Sequence, residues 1–341
     1  VLDATNGDVL ALVSSPSFDP NRYMESSIYR QQLLTDADAR TFQRAVFGQY
    51  PPGSTFKPIT ALSALQENPH IYQKKYTCEI GYRNSSGRPM RCWIHSQGGS
   101  HGSIDLKEAI MKSCNIYFYE IAQEMGYASI YKTAQAFGIG QYAGLFPDLE
   151  APQEHRKMRY GNLPETAANP TDLCNLSIGQ GQLLTSPLQM AMVATAIANG
   201  GTLYRPRLVK QFRTQPDLPY QENPTWAIRR IDVDIESLEK VRQGMRDVVM
   251  HRNGTARAAQ VEGISIAGKT GSAQYRKKVG DQVEDRVHAW MISYAPYDSP
   301  RYAIAMLVEE GVSGGQTIGP RLSQLYRMLF EYDGTLSGEQ G

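Results

Sequence analysis

The chain has 341 residues, 41% of them hydrophobic and 20% charged, enough for a substantial core in one large domain or two ordinary ones. Its 35 Lys and Arg nearly balance 34 Asp and Glu, and no basic block or aromatic–basic stripe marks a nucleic-acid partner. Apolar runs fall short of the roughly 20 residues of a membrane span, and four cysteines without a CxxC pair do not make a small disulfide scaffold.

In chain order, "VLDATNGDVLALVSS" predicts two strands joined at Asn6-Gly7, a strong hairpin signal. A chain rarely opens inside a hairpin, so an upstream part is expected. Residues 16–53 are polar and loop-rich, and a helix is predicted from about Ser54 to Gln66. Residues 70–104 form a long connection holding Cys78, Cys92, His95 and His101. "SIDLKEAIMKSCNIYFYEIAQEMG" reads as one helix that Gly126 ends, and "SIYKTAQAFG" as a shorter one. Residues 142–175 are proline-dotted and irregular, "SPLQMAMVATAIANGG" is a buried helix, and "SLEKVRQGMRDVVM" an amphipathic one. The tail holds three strands, "ISIAGKTGSAQ", "HAWMISYAP" and "RYAIAMLVEE", then the helix "RLSQLYRMLFEY". Strands at both ends with helices between predict an α+β fold: a central antiparallel sheet built from both chain ends, flanked by helices, with an all-helical body.

Three short motifs carry the chemistry. In "QYPPGSTFKPITAL", Ser54 and Lys57 fall on one helical face, so a neutral Lys57 could take the proton of the Ser54 hydroxyl. The bland alternative is an N-cap serine with a solvated lysine. Ser113-Cys114-Asn115 interrupts an otherwise apolar helix. Lys269-Thr270-Gly271 lies on a strand, where lysine and threonine offer a cation and a hydroxyl to a carboxylate and the glycine permits close approach. Ser-x-x-Lys, Ser-x-Asn and Lys-Thr-Gly in that order form the trio of penicillin-binding proteins and class A β-lactamases.

Over nearly its whole length the sequence resembles the transpeptidase domain of class B penicillin-binding proteins, most closely the elongation type, penicillin-binding protein 2. The matching stretches are "VLDATNGDVLALVSSPSFDPN", "QYPPGSTFKP", "SCNIYFYEIA", "NLSIGQGQLLTSPLQMA", "AGKTGSAQ" and "HAWMISYAP". The resemblance implies one transpeptidase domain over 1–341, with a membrane anchor and pedestal domain upstream, at the periplasmic face of the inner membrane. It implies Ser54 as nucleophile, Lys57 as base, Ser113 as proton relay, Asn115 as holder of Lys57 and the substrate amide, and Lys269 as a source of positive potential. Thr270, Gly271 and Ser272 would bind substrate; Ser272 stands where the family has threonine. The implied partners are stem peptides ending in D-Ala-D-Ala, β-lactam antibiotics and a polytopic membrane glycosyltransferase. No cofactor is implied.

Several residues invite other readings. Glu165 and Asn169 echo the water-positioning pair of class A β-lactamases, which would make the chain a serine hydrolase, either a β-lactamase or a DD-carboxypeptidase. A β-lactam-sensing receptor domain is the non-catalytic alternative. Cys78 and Cys92 are read as a disulfide first, free thiols second, and with His95 and His101 as a zinc cluster last, since the cluster matches the zinc-binding relatives only in part. Cys114 and Cys174 read as small buried fillers, and His288, Trp290, Tyr117, Phe118 and Tyr119 as packing residues.

Overall fold

The computed structural model describes residues 1–145, 161–280 and 282–336. A four-stranded antiparallel sheet, in the order β1 (Leu2–Asp3), β10 (Tyr302–Val308), β9 (Gln282–Ala295) and β8 (Ala267–Val279), joins both chain ends as expected. Register runs from Ala267 opposite Tyr294 to Val279 opposite Gln282, and from Tyr302 opposite Ala295 to Val308 opposite Ala289. β9 is exposed at its hairpin end but buried without a break from His288 to Ala295. Both faces of the sheet are therefore covered, which is why "HAWMISYA" lacks the alternation of a one-sided strand.

The remaining elements are short strands β2 (Tyr76–Thr77) to β7 (Ala227–Arg230) and eleven described helices. The peripheral helices α1 (Pro20–Glu25), α2 (Ser27–Leu34) and α3 (Arg44–Phe47) lead to α4 (Lys57–Glu67). Then come α5 (Leu106–Lys112), α6 (Asn115–Met125), α7 (Tyr127–Ala136), α8 (Pro170–Ser177), α9 (Pro187–Ala198), α10 (Ile235–Met250) and α11 (Gly319–Tyr332). Adjacent residues of β9 show which helices cover which face. Ser293 shares a hydrogen bond with Tyr326 of α11 at 2.9 Å, while Tyr294 accepts one from Arg242 Nε of α10 at 3.1 Å. α4 lies at the centre of the helical body, packed by α6, α7 and α10, and every residue from Lys57 to Leu65 is buried. Among the described residues no helix is long and apolar enough to cross a membrane.

Four expectations are corrected. Only the first arm of the opening hairpin joins the sheet; the second makes one bridge to the first, Leu2 to Val9, and one to Arg207 from Asp8, where Arg207 also binds the Asp8 carboxylate (Nη2–Oδ2 2.8 Å) and its carbonyl accepts the Val9 amide. The Ser54–Gln66 helix begins instead as a 3-10 turn over Gly53–Phe56, with α4 following it. The long helix from residue 103 is two helices, broken at Ser113, whose φ of 56° and ψ of 41° are left-handed. Part of the irregular 142–175 stretch is the helix α8, capped by Asn169, whose Oδ1 accepts the Thr171 and Asp172 amides; residues 146–160 of that stretch lie outside the described residues.

Candidate active site

The turn before α4 is fixed from three directions. Tyr50 and Thr185 exchange both backbone hydrogen bonds, at 3.0 and 2.9 Å. Gly53, at φ 56°, donates its amide to Gly179 O at 2.8 Å, and Thr55 Oγ1 donates to Pro52 O at 2.7 Å. Pro58 near the start of α4 costs no hydrogen bond there. Ser54 is thereby held half-buried just ahead of the α-helix, and Lys57 points into the protein.

Lys57 is fully buried, and its Nζ donates to Ser113 O (2.8 Å), Ser113 Oγ (3.3 Å) and Asn115 Oδ1 (2.8 Å). Burial disfavours the ammonium, and although the nearby thiols oppose it, the pKa of Lys57 falls to about 8. The break at Ser113 makes this possible. In a continuous helix the Ser113 carbonyl would be committed to its own helix; here α5 ends and α6 starts around it, freeing that oxygen for Lys57. Asn115 Nδ2 is tied back to Arg91 O at 3.3 Å, which orients its carbonyl oxygen toward Lys57.

β8 supplies the third side. Lys269 is fully buried, and burial first, with the charge of Lys57 second, holds its pKa well below that of an ordinary lysine. Its Nζ donates to Thr270 O at 3.1 Å. Thr270 Oγ1 pairs with Thr255 Oγ1 at 2.8 Å, and Ser272 is exposed, its carbonyl 3.4 Å from Gln180 Nε2. A Cβ on Gly271 would lie 2.9 Å from Thr55 Cγ2 and 3.0 Å from Pro52 O. The space the glycine leaves admits the Pro52–Thr55 turn. Ser54, Lys57, Ser113, Asn115, Lys269, Thr270, Gly271 and Ser272 are therefore gathered by one turn, one helix break and one strand. Glu165 is exposed, and Asn169 caps α8.

Beside this site lies a second constellation. The thiols of Cys78, Cys92 and Cys114 and one nitrogen of His101 fall within 4.8 Å of one another, and all four cysteines of the chain are free. The expected Cys78–Cys92 disulfide does not form, and Cys114, read as a filler, takes the place expected of His95. Nδ1 of His101 lies 3.6 Å from both Cys78 Sγ and Cys92 Sγ, and Cys92 Sγ lies 4.0 Å from Cys114 Sγ. A tetrahedral zinc site, with Zn–S of about 2.3 Å and Zn–N of about 2.0–2.1 Å, spaces its ligand atoms roughly 3.5–3.8 Å apart, so donor set and spacing both fit zinc. The hydrogen bond to Cys114 pulls Cys78 down to about 5 and Cys92 to about 3. Burial works against His101, yet its contacts with Cys92 and Cys78 raise it; Cys114 is pushed up. The Asn115 amide donates to Cys92 Sγ at 3.3 Å, and His95 supports the group from outside, 3.4 Å from Cys78 Sγ and accepting the Cys92 amide.

The family described as "Penicillin binding protein transpeptidase domain" matches residues 1–327. The chain belongs to that family. It is 32% identical to the peptidoglycan D,D-transpeptidase MrdA of Haemophilus influenzae over 97% of this chain and 52% of that protein. It is 31% identical to the peptidoglycan D,D-transpeptidase PbpA of Mycolicibacterium smegmatis over 94% of this chain and 64% of that one. The penicillin G acyl-enzyme complex of M. tuberculosis penicillin-binding protein A superposes with a TM-score of 0.80 at 28% identity, covering 98% of this chain and 73% of that one. Pseudomonas aeruginosa PBP2 in complex with WCK 5153 superposes at 0.78 with 29% identity, over 100% and 73%. The chain spans about half the length of the H. influenzae relative. The resemblance to penicillin-binding transpeptidase domains and the α+β fold are thus borne out.

Two residues escaped sequence reasoning: Cys114 and Thr255. The signal for Cys114 was its position between Ser113 and Asn115, too close to the site for a mere filler. Thr255 carried none, because its partner Thr270 lies on another element.

Proposed function

We propose that this chain is the catalytic domain of a peptidoglycan D,D-transpeptidase that works through a Ser54 acyl-enzyme. The observation that carries this reading is a fully buried lysine, three positions after the serine, whose Nζ is bound by Ser113 and Asn115 and whose pKa is lowered toward neutrality. Ser54 Oγ bonds to the carbonyl carbon of the penultimate D-Ala while its proton passes to neutral Lys57. The bond to the terminal D-Ala then breaks, and the proton leaves with that amine by way of Ser113. An amine of a neighbouring stem peptide attacks the ester, its proton passes through Lys57 back to Ser54, and a cross-link results.

Backbone amides of Ser54 and Ser272 would stabilise the oxyanion, Asn115 would hold the substrate amide, and Thr270 would bind the terminal carboxylate. Arrival of that anion favours the charged form of Lys269. A β-lactam acylates Ser54 in the same way, but its ring opens without expelling a leaving group, so the acyl group stays. Cys78, Cys92, Cys114 and His101 would hold a zinc ion, which ties the 76–104 connection to the helix break at Ser113. The hydrolase reading loses support because Glu165 is exposed and Asn169 caps a helix.

The relatives' greater length supports an anchor and pedestal upstream, and a place at the periplasmic face of the inner membrane beside a polytopic glycosyltransferase. A solved complex of the Helicobacter pylori PBP2 with MreC, at a TM-score of 0.76 and 29% identity over 98% of this chain and 60% of that one, supports protein partners. The test is exchange: a D-Ala-D-Ala pentapeptide is incubated with a labelled D-amino acid. Exchange of the terminal residue supports transpeptidation, whereas release of tetrapeptide alone makes the chain a carboxypeptidase.

A further inference from the structure

The Ser113 carbonyl on which Lys57 depends has a second donor. Trp93 Nε1 donates to Ser113 O at 3.1 Å and to Lys112 O at 3.2 Å, so the indole closes the C-terminal end of α5 from outside while Lys57 holds the same Ser113 oxygen from inside. Ser113 needs such support. It is a non-glycine residue at φ 56°, a conformation that costs on the order of 1–3 kcal/mol and persists only where its surroundings fix it. The residue is itself held: it follows Cys92, its indole lies against His101 with ring centroids 5.5 Å apart, and its backbone carbonyl accepts Ser96 Oγ at 2.7 Å. Trp93 is nonetheless 40% exposed, far more than a tryptophan kept only for core packing, whereas Trp290 is fully buried.

We propose that Trp93 is a positioning residue for acyl transfer: its N–H fixes the left-handed Ser113, and through it the hydroxyl and carbonyl that hold Lys57. The inference rests on the acyl-transfer reading above. Losing the donor lets Ser113 relax toward ordinary backbone angles, which moves its hydroxyl off the proton path while Ser54 and the carboxylate-binding strand stay in place. The acylation rate constant should therefore fall and the binding constant should not.

The experiment is stopped-flow acylation by a chromogenic β-lactam, resolved into first-order rate and binding constants, for wild type, Trp93→Phe and a control, Trp226→Phe, at an exposed site elsewhere. The expected result for Trp93→Phe is a first-order rate lowered on the order of tenfold, the share of one hydrogen bond, with binding and melting temperature within error of wild type and the control unchanged. An unchanged rate in Trp93→Phe overturns the proposal and leaves the indole a packing group. So does equal loss of rate, binding and melting temperature. If Trp93→Phe does not fold, benzothienylalanine at position 93, which keeps the ring shape and replaces N–H by sulfur, gives the same two-way answer. Failure of the wild type to be acylated would instead sink the acyl-transfer reading itself.

Discussion

A base must be neutral to accept a proton, so the reaction should follow the titration of Lys57. At pH 7 an ordinary lysine of pKa 10.5 is neutral about three times in ten thousand, whereas Lys57 at about 8 is neutral about one time in ten. That gain of roughly 300-fold corresponds to about 3 kcal/mol at 1.36 kcal/mol per pKa unit. It is drawn from stability. The pKa is lower in the folded chain, so between about 8 and 10.5 the unfolded chain binds more protons. Stability therefore rises with pH across that window, and the cost is fully present below it. Two assays follow. The second-order rate of acylation, measured with a fluorescent penicillin from pH 6 to 10, should climb tenfold per pH unit and level off near pH 8. Denaturant unfolding at pH 7.5 and 10 should show wild type gaining up to about 3 kcal/mol on Lys57→Met, whose own acylation should fall by at least a hundredfold. A rate flat from pH 6 to 8, or one still climbing past pH 9.5, would refute the assignment of Lys57 as the base.

Gly271→Ala places a Cβ 2.9 Å from Thr55 Cγ2 and 3.0 Å from Pro52 O, pushing β8 off the nucleophile turn. It should cost about 1–3 kcal/mol in thermal unfolding and slow acylation at least tenfold; unchanged acylation would show that β8 and the turn are not in register for the reaction. For the thiol cluster, elemental analysis of protein purified without added metal should find close to one zinc per chain. A strong chelator should lower the melting temperature, and Cys114→Ser should lose the metal. A mass two units below the reduced chain, marking a Cys78–Cys92 disulfide, would remove the cluster. Asn169→Ala should cost about 1 kcal/mol as the lost cap of α8 and leave deacylation of a penicillin adduct unchanged; a changed deacylation rate would return Asn169 to a hydrolytic role.

Much of the site was legible because its parts are local. Ser54 and Lys57 lie three residues apart where one turn runs into α4, Lys269 and Thr270 sit on one strand, and the apolar runs of the last strands marked the sheet that joins the chain ends. The break at Ser113 was hidden, since helical apolar spacing resumes on its far side in "DLKEAIMKSCNIYFYE"; the left-handed residue is held by its own turn, with the Ser113 amide on Ile110 O at 3.3 Å and the Cys114 amide on Ala109 O at 3.0 Å, and by the tertiary bond from Trp93. Trp93 and Thr255 were equally hidden, because each acts through a residue on another element. The packing of the Pro52–Thr55 turn against Gly271 was not legible, because a glycine on a strand shows that something approaches it and not which part of the chain does.

The central claim, that Ser54 is a nucleophile whose acyl group water does not remove, is tested most directly by intact-protein mass after adding a penicillin to wild type and to Ser54→Ala. The account predicts one equivalent of adduct on the wild type, stable for hours, and none on Ser54→Ala. An adduct that decays while drug is consumed, or one that persists in Ser54→Ala, would contradict it.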